Sequence, residues 1–259
     1  MRCIFCKKSS DDSVSIEHII PESLGNSKSV LPKGAVCDSC NNYFASKVER
    51  PVIESNEFKY LRSYQMIKNK KGRFQEVKMI VNGQPVRARR TDTLTFEIHG
   101  DDFSKAEQAL DSESGCEIML PVTGEPPSDH HLSRFLAKMA LEGIAHSWLD
   151  MEGWNDYLVE HDGFDTIRKF SRQPLRGETW AYSKRKIYEQ DSPHVEHQII
   201  YEWDILAIGT HEAAEFYFVV AFFGMEYAIN LAGSSVDGYK NWLSENNDIS
   251  PLLKKEYVT

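Results

Sequence analysis

Apolar positions along the chain change period several times, and each change predicts an element. From Asn41 the spacing is helical, with Tyr43, Phe44, Val48 and Val52 recurring one and four residues apart. Pro51 is expected to end or kink that helix, because it lacks a backbone N–H and its ring crowds the preceding turn. A second helix is expected over residues 53–70, where Phe58, Leu61, Tyr64 and Ile67 recur with basic residues between them. Phe74 to Arg90 reads as a β-hairpin around Asn82-Gly83, a strong turn dipeptide, and Thr93 to Ile98 alternates as a third strand. Residues 99–130 are polar, with a break at Gly124-Glu125-Pro126-Pro127-Ser128. Ser133 to Leu149 carries the clearest helical face, made by Phe135, Met139, Leu141, Ile144, Ala145 and Trp148. Residues 150–195 are mixed. From Gln198 the pattern turns β-like through Ile199-Ile200-Tyr201, Asp204 to Ile208, Glu215 to Phe223 and Glu226 to Leu231, which predicts antiparallel strands of one sheet with a covered face. The five tryptophans, at 148, 154, 180, 203 and 242, are spread out and read as core.

Composition adds little to this outline, but the distribution of charge changes it. Of the 259 residues, 41% are hydrophobic and 27% charged, which is ordinary for a globular chain of one large or two small domains. No apolar run approaches the roughly 20 residues that span a bilayer, so no membrane partner is expected. The net charge of −9 conceals an asymmetry: residues 1–90 balance to +8 and residues 91–259 to −17. The N-terminal third is therefore expected to face a polyanion, and the acidic remainder is not. Within the basic third, Lys33 and Lys47 and the cluster Arg87, Arg89 and Arg90 are the candidate phosphate contacts. No base-reading motif accompanies them.

The first fifty residues hold the densest chemistry. Cys3-Ile4-Phe5-Cys6 and Cys37-Asp38-Ser39-Cys40 are two Cys-x-x-Cys pairs, and a two-residue gap lets both sulfurs of one turn reach one ion. Four thiolates from two turns suit tetrahedral Zn²⁺, and a structural metal compensates for the small core of so short a module. A redox Cys-x-x-Cys would need a thioredoxin-like βαβ setting, which the pattern lacks. The chain opens directly into the first pair, which predicts no leader segment and a reducing, cytoplasmic location. Cys116 stands alone and reads as a small hydrophobe. His130-His131 and His194/His197 lack matching ligands and read as surface residues. Between the pairs lies Glu17-His18-Ile19-Ile20-Pro21; on a strand, Glu17 and His18 point to opposite faces.

Taken in order, Cys-x-x-Cys, acidic-His-Ile-Ile-Pro, a Leu-Gly loop and Cys-x-x-Cys-Asn over Cys3 to Glu49 resemble the zinc-containing variety of the HNH (ββα-metal) endonucleases. The resemblance implies that His18 is the general base that activates water, that Glu17 (where Asp is commoner) binds one divalent cation, and that Asn41 completes the metal site. Asn42 is its substitute. The Asn that commonly orients the base just ahead of the second Cys pair is missing, with Gly34-Ala35-Val36 in its place. A backbone carbonyl near Pro32 or Lys33, or else Asn26, is left to hold the imidazole. The chemistry agrees with this carry-over: a neutral imidazole suits proton abstraction at physiological pH, and carboxylate and amide oxygens suit Mg²⁺ or Mn²⁺ rather than zinc.

The fold class expected is therefore α+β: an N-terminal zinc-stapled ββα-metal (HNH) module followed by a mixed α/β region with an antiparallel sheet. The expected divisions are residues 1–55 as the nuclease module, 56–98 as a basic helix-hairpin extension, and 99–259 as an acidic α+β domain for regulation, dimerisation or partner binding. The resemblance implies DNA as substrate and a setting in bacterial restriction or anti-phage defence. Two other readings stand beside it: a non-catalytic zinc module that binds nucleic acid or protein, and a nuclease subunit active only in a complex.

Overall fold

The computed structural model describes residues 1–69, 71–92, 95–98, 100–110, 115–120, 124–188, 201–210 and 214–253. In chain order the elements begin with strands β1 (Glu17–His18) and β2 (Val30–Leu31) and helices α1 (Asp38–Phe44), α2 (Arg50–Ile53) and α3 (Asn56–Tyr64). Strands β3 (Glu76–Val81), β4 (Gln84–Arg90) and β5 (Phe96–Ile98), helix α4 (Asp101–Leu110) and strand β6 (Ile118–Met119) follow. Then come helices α5 (Asp129–Ser147), α6 (Trp154–Glu160) and α7 (Asp165–Arg172). Strands β7 (Tyr182–Lys186), β8 (Tyr201–Ile208), β9 (Glu215–Phe222) and β10 (Met225–Asn230) and helix α8 (Asp237–Glu245) complete the order. The chain is α+β with antiparallel sheets, and it opens on a ββα module. Contacts divide it into two compact units, one of residues 1–22, 26–52 and 128–259 and the other of residues 23–25 and 53–127. Among the described residues no helix is long and apolar enough to cross a membrane.

The first unit is organised around α5. Every residue from Leu132 to Ala145 is buried, so this helix is enclosed on all sides rather than on the one face its periodicity predicts. It touches β2, α6, α7 and strands β8, β9 and β10. Gly143 allows the approach to the sheet, since a Cβ there would lie 2.8 Å from the Phe218 ring. The sheet order is β7-β10-β9-β8, antiparallel throughout. Both faces are covered: Phe222 stacks on Phe135 of α5, while Tyr217, Val219 and Ala221 pack with Tyr239 and Leu243 of α8. Burial on two faces explains why β9 reads as an unbroken apolar run. Phe223 and Gly224, both with positive φ, make the tight turn into β10. Of the expected strand from Ile199, residues 199 and 200 lie outside the described residues and β8 starts at Tyr201; His194 and His197 also lie outside them.

The ββα module sits in this same unit. β1 and β2 pair antiparallel, with Glu17 opposite Leu31 and His18 opposite Val30. Helix α1 does not stop before Pro51. It passes through a π-helical turn, Ala45–Glu49, into α2 and ends at Ile53. The wider turn accommodates a proline whose ring would otherwise strike the carbonyl one turn back.

In the second unit, α3 is shorter than the 53–70 expected. Ser55 caps it by accepting the Phe58 N–H at 3.4 Å, and the chain leaves the helix before Met66, which adopts φ 52°. The Asn82-Gly83 hairpin forms as expected, with φ 44° and 81° and sheet order β5-β4-β3-β6. Thr93 and Leu94, at the start of the expected third strand, lie outside the described residues. Helix α4 falls in the stretch that composition marks only as polar. Ala106 is its one buried apolar side chain, packed with Met79, Val81, Val86 and Ala88, while Phe103 and Leu110, which complete the helical spacing, are exposed.

Candidate active site

Four cysteines are brought together from the two ends of the ββα module. The Sγ atoms of Cys3, Cys6, Cys37 and Cys40 all lie within 4.8 Å of one another, and Cys6 and Cys37 are 3.7 Å apart. Sulfurs held tetrahedrally about 2.3 Å from Zn²⁺ sit roughly 3.8 Å apart, so the cluster fits the ion with small contraction. None of the four is in a disulfide. The first turn is closed by Cys3 N–H to the Lys8 carbonyl and Lys7 N–H to the Cys3 carbonyl, each 2.9 Å, with Lys7 at φ 60°. It is joined to the second by Ile4 N–H to the Ala35 carbonyl at 2.9 Å and by Phe5 on Phe44, 4.3 Å between ring centroids. The Cys40 thiol holds Cys3 down at about 5 against the effect of burial, while that contact and burial push Cys40 up.

Helix α7 supplies positive charge next to these thiols. Buried Arg168 donates from Nε to the Ile4 carbonyl at 2.7 Å and from a terminal nitrogen to the Leu158 carbonyl at 2.9 Å. Arg172 lies 3.8 Å over the Tyr43 ring and reaches the Cys40 side chain. The Arg172 guanidinium would offset part of the negative charge of four thiolates around one cation, while Arg168 is itself paired with Asp165. Sequence reasoning had no access to them, since they stand more than 120 residues away.

Strand β1 is fixed at both ends. Ahead of it, Asp38 in the first turn of α1 accepts the Val14 and Ser15 N–H groups at 3.2 and 3.0 Å and the Ser15 hydroxyl, and these bonds lower its pKa. Behind it, Asn26 closes the loop: Nδ2 donates to the Ile20 and Ser29 carbonyls at 2.7 and 2.9 Å, and Oδ1 accepts the Lys28 and Ser29 N–H groups. Oδ1 also accepts the Tyr201 hydroxyl at 2.9 Å, and Trp203 Nε1 donates to Ser29 Oγ at 3.2 Å. Asn26 is therefore a loop-closing residue and is not bonded to His18. The Pro32 carbonyl accepts the Ala35 N–H at 3.1 Å, and His18 Nδ1 is buried with no hydrogen-bond partner among the described residues.

Glu17 points inward. Its Oε1 lies 2.6 Å from the ammonium of Lys138, which is fully buried and also meets Glu49 at 2.7 Å, Glu142 at 2.8 Å and the His18 carbonyl at 3.2 Å. One ammonium thus stands among three carboxylates. Burial raises the Glu17 pKa and Lys138 opposes it; Glu142 is raised well above its ordinary value, mainly by burial. Glu17 Oε2 is buried without a hydrogen-bond partner among the described residues. Asn41 follows Cys40 in α1, half-buried, its N–H on the Cys37 carbonyl at 2.9 Å, and Asn42 is exposed. Lys138, Glu49 and Glu142 escaped sequence reasoning, although Lys138 and Glu142, four apart within an apolar helical stretch, were a visible signal.

Of the candidate phosphate contacts, Lys33 and Lys47 are in the first unit, exposed and without a carboxylate partner among the described residues. The three arginines are in the second unit, and each has a partner. Arg87 Nε meets Asp102 at 2.7 Å, Arg89 pairs with Glu76 across the β3–β4 register, and Arg90 donates to the Tyr64 carbonyl at 3.1 Å with its guanidinium over that ring.

A family model described as HNH endonuclease matches residues 3–57, the segment that carries both Cys pairs, β1, β2, α1 and α2. No curated protein and no solved structure matches the chain.

Proposed function

We propose that the chain is a metal-dependent HNH endonuclease that hydrolyses phosphodiester bonds in DNA. The supporting observation is that one segment both matches HNH endonucleases and folds as a ββα unit around four clustered cysteines. Zinc is the structural ion in this reading, held by Cys3, Cys6, Cys37 and Cys40. His18 is the general base: its Nδ1 is unpartnered, and its strand is fixed by Asp38 on one side and Asn26 on the other. Glu17 and Asn41 are the oxygen donors for Mg²⁺ or Mn²⁺, and the unpartnered Glu17 Oε2 fits that assignment. Such an ion, when bound, relieves negative charge on the scissile phosphate. Lys33 and Lys47 hold the DNA backbone, whereas Arg87, Arg89 and Arg90 would first exchange their present partners for phosphate.

One observation favours a second reading, a non-catalytic zinc module: Lys138 already occupies one oxygen of Glu17. Supercoiled plasmid separates the two. The nuclease reading expects nicking or linearisation with Mg²⁺ or Mn²⁺ and none with EDTA. It also expects His18→Ala to keep its zinc and melting temperature but lose cleavage. A fully active His18→Ala protein refutes the general-base assignment, and an inert wild-type protein with both ions favours the second reading.

A further inference from the structure

We propose that Lys138 is a positioning residue for the nuclease site, an internal cation that fixes Glu17 and the backbone of His18 from outside the ββα module. The inference rests on the reading of Glu17 as a metal ligand. A single ammonium bonds both residues of β1: the Glu17 carboxylate at 2.6 Å and the His18 carbonyl at 3.2 Å. Its remaining contacts are Glu49, which closes the π-helical turn, and Glu142, one turn further along α5. Four oxygens from β1, the π turn and α5 therefore converge on Nζ, and Lys138 has no exposed surface.

Stability alone does not account for this arrangement. A buried ion cluster is commonly no better than well-packed apolar side chains of the same volume, because desolvation offsets the attraction. What the ammonium adds is geometry. With Oε1 held, the Glu17 carboxylate has one orientation, and Oε2 remains buried and unpartnered, ready for a second cation. With the His18 carbonyl held, the strand cannot slide relative to α5. Lys138 thus does for the carboxylate what outer-shell partners do for the ligands of other metal sites.

The test measures Mn²⁺ binding by the zinc-loaded, full-length chain without DNA, from the paramagnetic resonance signal of the free ion. Glu17→Gln tests the underlying reading and is expected to weaken Mn²⁺ at least about tenfold; wild-type affinity in this variant shows that Glu17 is no ligand. Lys138→Met combined with Glu142→Gln removes one positive and one negative charge and so keeps the formal balance of the cluster. With zinc retained and melting cooperative, it is expected to lose about tenfold or more in Mn²⁺ affinity. Wild-type or tighter binding there, alongside weakened binding in Glu17→Gln, overturns the role of Lys138 alone. If the double variant does not hold zinc, Lys138→Arg decides. It keeps the charge, but its planar fork cannot reproduce a compact ammonium, so Mn²⁺ affinity must fall several-fold. An unchanged affinity in that variant also overturns the proposal.

Discussion

On the zinc reading of the cysteine cluster, removal of the ion should unfold far more than the first fifty residues. Cys3 and Cys40 are buried at the centre of the cluster, so Cys40→Ser, or a strong chelator, is the perturbation. Structural Zn²⁺ on thiolates is worth about 10–16 kcal/mol at neutral pH, whereas a domain is stable by only about 5–15 kcal/mol. Even a quarter of the smaller zinc figure, about 2.5 kcal/mol, lowers the melting temperature of a unit this size by roughly 5–10 °C. The loss should spread beyond the module, because Glu17 and Glu49 are partners of the fully buried Lys138, and Arg168 bonds the Ile4 carbonyl. Leaving Lys138 with fewer carboxylates costs further stability at the centre of α5. Zinc is counted by release with a thiol reagent, and unfolding is followed by near-ultraviolet circular dichroism of Trp203 and Trp180, outside the module. One zinc per chain and a single shifted transition are expected. A zinc-free protein melting within about 2 °C of the zinc-loaded one would falsify the assignment of the cluster as a structural centre.

Three further outcomes can be checked independently. Hydrogen bonds from Arg87 and Lys105 hold Asp102 down at about 2, against about 3.9 in an unfolded chain, so its contribution is fully present above pH 4 and lost as pH falls towards 2. Urea titrations should show a shallower acid loss in Asp102→Asn than in wild type, and equal slopes would remove the pair from the account. Lys33→Ala and Lys47→Ala should each reduce the slope of log affinity against log salt for duplex DNA by about 0.9, while an unchanged slope means that neither touches phosphate. Residues 1–57 expressed alone should fail to fold even with zinc, for want of Lys138, Arg168 and Trp203; a dispersed amide spectrum from that fragment would refute the dependence.

What the sequence made legible is local. The Asn82-Gly83 hairpin follows from one dipeptide that tolerates positive φ at both positions, and the Cys-x-x-Cys turns follow from a spacing that only a few structures use. Strand β9 is legible because burial on two faces leaves a continuous apolar run from Phe216 to Phe222, and β10 from Tyr227-Ala228-Ile229. The elements missed are short helices of seven to ten residues set in polar surroundings. Helix α4 buries Ala106 as its one apolar side chain, and α6 and α7 are short helices whose polar residues Asn155, Arg168 and Ser171 are buried by tertiary bonds. Pro51 marks an irregularity that the helix survives by two residues: its local cost is relieved by a π-helical turn that no composition announces. At the site, the clustering of the four cysteines was legible from spacing. Lys138 was not, because its meaning depends on carboxylates 121 and 89 residues earlier in the chain.

The same long-range pairing alters the meaning of the charge asymmetry. A +8 segment beside a −17 remainder suggests a free cationic face, yet part of that charge is spent within the fold. Arg2 pairs with Asp156 at 2.9 Å and Glu160 at 2.5 Å, Lys7 pairs with Asp165 at 2.6 Å, and all three acids come from the acidic region. These exposed pairs are individually weak, but each lowers the field that a phosphate would meet. The acidic region is thus an internal partner of the ββα module as well as the source of α5. The cations of this unit that no carboxylate meets among the described residues include Lys33, which follows β2, and Lys47, on the π-helical turn that continues α1.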